Sequence, residues 1–181
     1  MNYSIKSKSA KGKLSPMSRY YEDFEVGQTF QHPIGRTITE TDNTWFTLLT
    51  VNTNQMHFNK QYAEQSIYGK ILVNSGLTLC LVLGLSVSDL SQNAVANLGM
   101  DEIRFSNPLF VGDTVWAESK ILEKRTSNSR KLAGIITVFT RGLNQDAQAI
   151  STWKRTFMVH KRDSPTDKNI FPQCDLALPD C

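Results

Sequence analysis

Residues 71–88 read ILVNSGLTLCLVLGLSVS and form the most hydrophobic stretch of the chain. A helix that crosses a membrane needs about 20 mainly apolar residues. This stretch is shorter, and it contains Asn74, Ser75, Thr78 and two glycines. We therefore predict that no membrane is involved and that residues 71–88 form a helix buried on nearly all of its sides. Within it, Cys80 is expected to be a small core residue rather than a nucleophile.

Segments with alternating or β-branched residues flank this helix in the sequence. One strand is predicted before it, at residues 28–37, and four are predicted after it, at residues 97–105, 114–124, 132–141 and 149–160. Two short helices are predicted at residues 39–49 and 60–66. Because the later strands follow one another without intervening helices, the pattern favours an α+β fold, with one sheet around the long helix, over a parallel doubly wound sheet.

The first short helix has a clear start signal. Thr39 and Asp42 are spaced as in a capping box, in which the threonine oxygen accepts from a free backbone N–H and the acid lies near the positive helix end. The apolar side of this helix is predicted to consist of Trp45, Phe46, Leu48 and Leu49.

The composition is that of one globular domain with polar ends. Of the 181 residues, 40% are hydrophobic and 20% are charged, and one domain usually has about 100–200 residues. Much of the net charge of +3 comes from a segment without acids, which contains Lys6, Lys8, Lys11 and Lys13. We predict a disordered basic tail at residues 1–18, one domain at 19–162 and a weakly ordered tail at 163–181, where Pro, Asp and Ser are frequent.

Charge and cysteine content bear on partners and compartment. The domain is near neutral and has no basic stripe with exposed aromatics, so no nucleic acid partner is expected. The cysteines at 80, 174 and 181 lack metal-binding spacing and form no dense even framework, which favours reduced thiols in a cytoplasmic protein. Residues 1–18 lack the apolar stretch of a secretory signal, but a transit peptide shares their character, so an organelle address stays open.

His57 is the strongest candidate for acid–base chemistry. It lies in the polar segment 50–59, whose residue types bond to the nearby backbone and prefer loops. An imidazole titrates near neutral pH, so it can take and give a proton in one cycle. A plain solvated loop histidine is the competing interpretation. His32 and His160 lie in predicted strands and lack such polar surroundings.

A second candidate site is the predicted helix start at Asn74, Ser75 and Gly76. Asn74 is a favourable N-cap, and the first N–H groups of a helix otherwise lack partners. Because Gly76 has no side chain to block a close approach, a thioester carbonyl could lie against these N–H groups and be stabilised as it gains negative charge. An ordinary capped helix is the competing interpretation.

Three segments, in the same order, resemble motifs of MaoC-like enoyl-CoA hydratases. Residues 52–57, NTNQMH, match the position of the family's Asp-x-Asn-Pro-x-His loop. Residues 72–77, LVNSGL, resemble the Val-x-His-Gly segment that opens its long helix, and residues 110–114, FVGDT, resemble its Phe-x-Gly-Asp-Thr strand entry. The similarity covers residues 20–161, and the joint agreement is more specific than any one motif.

This resemblance implies a hot-dog fold, in which an antiparallel sheet wraps one long central helix, and a homodimer or higher homo-oligomer. It also implies an acyl-CoA substrate, addition or removal of water at its double bond, and no metal or cofactor beyond the coenzyme A of the substrate. The catalytic positions would be Asn52 and His57. The predicted substrate-binding positions in and beside these motifs are Asn54, Asn74, Ser75 and Gly76.

Asn52 departs from the family motif, which has an aspartate there. A carboxamide cannot accept a proton at neutral pH, so His57 would carry the acid–base work while Asn52 orients the water or the imidazole. Milder departures are Gln55 in place of proline, Asn59 in place of a common acidic residue and Ser75 in place of glycine.

Residues 43–47 and 84–89 look most like the branch of the family that acts on branched dicarboxylic esters such as mesaconyl-CoA or itaconyl-CoA. The second carboxylate of such a substrate requires a cation, for which Arg36 and Arg104 are candidates, although both could equally be surface ion-pair residues. Two other functions remain open. A thioesterase would share the fold but needs a base or nucleophile that the loop does not offer, and an acyl-CoA-binding protein without turnover would explain Asn52.

Overall fold

The computed structural model describes residues 19–165, so the predicted tail at 1–18 and nearly all of the tail at 163–181 lie outside the described residues. The strands are β1 (Thr29–Thr37), β2 (Ala94–Phe105), β3 (Thr114–Thr126), β4 (Ala133–Leu143) and β5 (Ala149–His160). The α-helices are α1 (Glu40–Leu49), α2 (Lys60–Glu64), α3 (Ser75–Leu85) and α4 (Val87–Leu90), and single 3₁₀ turns lie at Tyr21–Asp23 and Gln55–His57.

The five strands form one antiparallel sheet in the order β1-β3-β4-β5-β2. The predicted α+β class and element order are confirmed, and the largest shift of a strand start is at β2, which begins at Ala94 rather than at 97. Alternate side chains of a strand point to the same face. In β3 this alternation buries Val115, Ala117 and Ser119 against the helices, as predicted.

Helix α3 packs on one face of the sheet and is shorter and less buried than predicted. Its buried residues are Leu77, Thr78 and Val82, whereas the opposite side of the helix is open. The prediction of burial on nearly all sides is therefore wrong for the single chain, because one sheet covers only one side of a helix. Cys80, predicted to be a core residue, is exposed. None of the helices within residues 19–165 is long and apolar enough to cross a membrane.

Helix α1 begins with the predicted capping box. The Thr39 hydroxyl accepts from the Asp42 backbone N–H at 3.2 Å, and the Asp42 carboxylate accepts from the Thr39 backbone N–H at 2.8 Å. The Thr39 side chain, the Thr39 backbone and the charge of Arg36 hold the pKa of Asp42 below its ordinary value. These contacts satisfy backbone groups that the first turn of a helix leaves unpaired.

Of the predicted apolar side of α1, only Phe46 packs against the core. Trp45 is 66% exposed, and Leu48 and Leu49 are exposed as well. The fully buried residues of α1 are instead Asn43 and Thr47, one helical turn apart. Hydrophobicity fails as a guide here because this side of α1 meets backbone groups of two neighbouring segments, which need polar partners.

Candidate active site

His57 ends the 3₁₀ turn Gln55–His57 and is only 8% exposed. Its Nδ1 lies 2.9 Å from the carbonyl oxygen of Leu72. Because a carbonyl can only accept, Nδ1 carries the proton, and Nε2 of the neutral ring keeps its lone pair. Nε2 makes no hydrogen bond to any residue between 19 and 165. The imidazole is thus fixed in the tautomer of a proton acceptor, with Nε2 available to a ligand.

Asn43 links the surroundings of His57 to the start of α3. Its Nδ2 donates to the backbone oxygens of His57, at 2.8 Å, and Leu72, at 3.1 Å. Its Oδ1 accepts from the backbone N–H of Asn74 at 2.9 Å. Both N–H bonds and the oxygen of this fully buried amide are therefore used. The sequence did not identify Asn43 as a site residue, because five other residues of α1 are also polar and only the folded chain shows which of them are buried.

The N-cap of α3 is Asn74, as predicted, but the cap occupies one of the predicted oxyanion donors. The Asn74 Oδ1 accepts from the Gly76 N–H at 2.8 Å, and Asn74 Nδ2 donates to the Thr47 hydroxyl at 3.2 Å. A side chain on Gly76 would meet the Phe46 ring at 3.1 Å, so this glycine is covered rather than open. Within the described residues, the backbone N–H of the exposed Ser75 has no acceptor.

Ser75 is exposed and opens onto a cleft of about 220 Å³. Leu72, whose carbonyl oxygen holds His57, lines the same cleft together with Tyr68 and Asn107. A free N–H at a helix start attracts negative charge. The cleft therefore borders both a donor for a developing oxyanion and the segment that fixes the imidazole.

The loop before His57 is built by its asparagines. Asn52 Oδ1 accepts from the Asn54 N–H at 2.9 Å, and Asn54 Oδ1 accepts from the Met56 N–H at 3.1 Å. No hydrogen bond joins Asn52 to His57 among the described residues. The amide NH₂ group of each asparagine has no partner between residues 19 and 165, so either can donate to water or substrate while its oxygen holds the turn.

Val51 enters this loop with a φ of 56° and is 82% exposed. The left-handed region is unfavourable for a residue with a Cβ, and most of all for a β-branched one. We expect Val51→Gly to raise the free energy of unfolding by about 0.5–1 kcal/mol, since relief of strain exceeds the entropy that glycine adds to the unfolded chain.

Urea unfolding checks this expectation. The matched control is Val26→Gly, another exposed valine in a turn, whose φ is not positive. The control should lower the unfolding midpoint, and an equal drop in both variants would contradict the strain at residue 51.

The two arginines predicted to bind a substrate carboxylate lie elsewhere. Arg36 pairs with Asp42 at 2.8 Å and also donates to the Thr37 carbonyl. Arg104 is exposed on the outer strand β2 and donates to the Ile103 carbonyl. Neither forms a hydrogen bond with the His57 segment. Among residues 19–165, no three His, Cys, Asp or Glu side chains lie close enough together to hold a metal ion.

His32 has polar surroundings that its strand position did not predict. Its Nδ1 lies 2.8 Å from the Asp89 carboxylate and its Nε2 lies 3.0 Å from the Ser119 hydroxyl, which in turn contacts Thr140 at 2.9 Å. This buried chain joins α4 to β1, β3 and β4. Both ring nitrogens are engaged, so His32 differs from His57 in having no free nitrogen for a ligand.

Comparisons with known proteins agree with the motifs. A family model described as mesaconyl-CoA hydratase matches residues 8–169. The mesaconyl-CoA hydratase of Cereibacter sphaeroides is 35% identical over 146 residues, which are 81% of this chain and 42% of that protein. A solved MaoC domain protein of Chloroflexus aurantiacus is 31% identical, with a TM-score of 0.78 over 93% of this chain and 46% of that chain.

A Mycobacterium tuberculosis protein with a double hot-dog fold superposes with a TM-score of 0.75 and 19% identity, over 84% of this chain and 47% of that one. The hot-dog fold is thereby confirmed. The chain spans less than half the length of each of these three proteins. Since the family model covers most of its residues, the chain belongs to the MaoC-like hot-dog dehydratase family, in the group described as mesaconyl-CoA hydratase.

Proposed function

We propose that this chain adds water to, or removes it from, the double bond of an enoyl-CoA, as a hydro-lyase. The observation that carries the proposal is His57, a buried imidazole whose Nδ1–H is held by the Leu72 carbonyl while Nε2 is free. A proton acceptor fixed in one tautomer by the segment that leads into a free helix-end N–H suits a reaction that moves a proton while a thioester oxygen gains charge.

In the hydration direction, His57 Nε2 takes a proton from water as the water oxygen bonds to the β-carbon of the enoyl group. The electron pair of the double bond moves to the thioester, whose oxygen is stabilised by the Ser75 N–H. The imidazolium then returns the proton to the α-carbon, which completes the addition. Asn52 donates from Nδ2 to the water and orients it, because its oxygen is held by the Asn54 N–H.

The proposed substrate is a short branched dicarboxylic enoyl-CoA of the mesaconyl-CoA or itaconyl-CoA type. The match to the mesaconyl-CoA hydratase family model supports this choice. The 35% identity to the Cereibacter sphaeroides mesaconyl-CoA hydratase supports it as well. These esters carry a carboxylate that crotonyl-CoA lacks. A higher kcat/KM for them than for crotonyl-CoA would therefore indicate a cation within reach of the acyl group.

We further propose that the chain works as a homodimer or higher homo-oligomer. The outer side of α1 exposes Trp45, Leu48 and Leu49, and the outer side of α3 exposes Cys80. Contiguous exposed apolar residues mark interaction surfaces. The chain also spans less than half the length of the double hot-dog protein. This supports a second domain of the same fold, from another copy of this chain, as the partner that covers the exposed apolar residues. Light scattering should give at least twice the 20.4 kDa of one chain.

The first test is the loss of enoyl absorbance with mesaconyl-CoA, itaconyl-CoA and crotonyl-CoA. Wild-type protein should hydrate at least one ester. Asn52→Asp should raise that rate by tenfold or more, because an added general base is typically worth about 10²–10⁴ in rate. The aspartate can still accept from the Asn54 N–H, so the turn is retained.

An acyl-CoA-binding protein without turnover is the second candidate. It is favoured by the engagement of the Asn52 oxygen in a backbone turn, with no bond to His57. Tight binding of all three esters with no absorbance change in the wild type, and activity only in Asn52→Asp, would establish this second candidate.

A further inference from the structure

Among residues 19–165, the helix-facing side of β5 contains an arginine without a hydrogen-bond or ion-pair partner. Arg155 is only 2% exposed, and its Nε and Nη2 are buried without any hydrogen bond. None of the ion pairs among residues 19–165 includes it. Burial lowers the pKa of Arg155 to about 10, so the guanidinium still carries its charge at neutral pH.

The two unpaired nitrogens lie on the same edge of the guanidinium plane. The N–H bonds of Nε and Nη2 run side by side, which is the fork that binds both oxygens of one carboxylate. The Phe157 ring, 4.6 Å from the guanidinium carbon, stabilises the face of the cation but leaves this edge without an acceptor. A buried charge with no acceptor is strongly unfavourable.

Two neighbours on the same face repeat the pattern. Ser151, Trp153 and Arg155 stand at every second position of β5, so their side chains point to the same face of the sheet. The Ser151 hydroxyl and Trp153 Nε1 are also buried and have no hydrogen-bond partner. Val82 of α3 and Ser151 both border Gly142, which places this face beneath α3. Three successive helix-facing residues of β5 therefore present unpaired polar atoms.

We propose that Arg155 binds the free carboxylate of a dicarboxylic acyl group lodged between α3 and β5, with Trp153 and Ser151 supplying further polar contacts. This inference rests on the proposed function and names the residue that binds the second carboxylate of its substrate. It assigns the carboxylate to a cation that is charged and unpaired, whereas Arg36 is paired with Asp42 and Arg104 lies exposed on β2.

The test compares kcat/KM for mesaconyl-CoA and crotonyl-CoA. Arg155→Met should lower the value for mesaconyl-CoA about a hundredfold, as expected when one side of a buried charged pair is removed. The value for crotonyl-CoA should stay within threefold of wild type. Arg155→Lys should lower kcat/KM for mesaconyl-CoA almost as much, because lysine keeps the charge but lacks the two parallel N–H donors. The control Arg125→Met, an exposed arginine of β3, should leave both values unchanged.

Calorimetry with free mesaconate separates this inference from the hydratase proposal. Mesaconate should bind the full chain and its Arg125→Met variant, should not bind Arg155→Met, and should not be displaced by inorganic phosphate. If no ester is hydrated but mesaconate binds in this pattern, the hydratase proposal is rejected and the carboxylate site is supported. Equal losses for both esters in a folded Arg155→Met protein, or mesaconate binding that is absent from wild type or unaffected by Arg155→Met, would overturn the site.

A folding check completes the test. Removal of an unpaired buried charge should leave the urea midpoint of ligand-free Arg155→Met equal to or above that of wild type. A lower midpoint would indicate a structural arginine and would count against the carboxylate site.

Discussion

Replacement of His57 by alanine is expected to lower kcat for enoyl-CoA hydration by about 10²–10⁴, the usual effect of removing a general acid–base group. The change removes the nitrogen that takes the proton from water, whereas the Ser75 N–H remains in place. KM should therefore change much less than kcat, because the contacts that hold the thioester in the ground state are retained. The measurement is the initial rate of absorbance loss with the ester that the wild-type protein hydrates.

Two variants separate chemistry from structure at this position. His57→Asn places an amide N–H near the position of Nδ1–H and can still donate to the Leu72 carbonyl, but it cannot accept a proton at neutral pH, so it should be as slow as His57→Ala. His160→Ala removes a histidine at the end of β5, where it contacts Ser164, and should retain wild-type kcat. A kcat for His57→Asn above one third of the wild-type value would eliminate His57 as the proton carrier.

The parts of the structure that could be predicted depend on local chemistry. Thr39 and Asp42 form their capping box from neighbours three residues apart, and Asn74 caps α3 through its own backbone segment. Strand alternation in β3 likewise follows from a two-residue repeat. The resemblance to the family motifs also predicted the hot-dog fold and placed His57 in the candidate site. Such features need no knowledge of which distant segments meet.

The parts that were missed depend on distant contacts. Asn43 is buried because it meets the His57 and Leu72 carbonyls, which come from two other segments, and the same meeting leaves Trp45 exposed. Arg155 shares its face of β5 with the apolar Trp153 and Phe157, and only the folded structure shows that its charge is unpaired among residues 19–165. Gly76, predicted to be open to a ligand, lies against the Phe46 ring, which comes from α1.

Asn43→Leu is expected to lower the free energy of unfolding by about 3 kcal/mol, because the His57 carbonyl and the Asn74 N–H lose their partner and each unsatisfied buried group typically costs about 1–3 kcal/mol. The Leu72 carbonyl keeps its bond from His57 Nδ1. The expected loss is near the low end of the summed cost of these unsatisfied groups, because the loop that carries His57 can relax toward water. Urea unfolding measures the change. Hydration should fall as well, since the carbonyl that fixes the imidazole and the N-cap of α3 are both held by this amide.

Asn43→Asp provides the sharper version of this experiment, because it keeps size and acceptor but loses both donors. The carboxylate would face two carbonyl oxygens in a buried site, which raises its pKa above the unfolded value. The penalty should therefore be full at pH 7 and should shrink as the pH falls and the carboxyl regains a proton to donate. Thr41→Ala, at an exposed position of α1, is the control and should stay within about 0.5 kcal/mol of wild type. A penalty for Asn43→Asp that does not change with pH would mean that its donors do not hold the two carbonyls in solution.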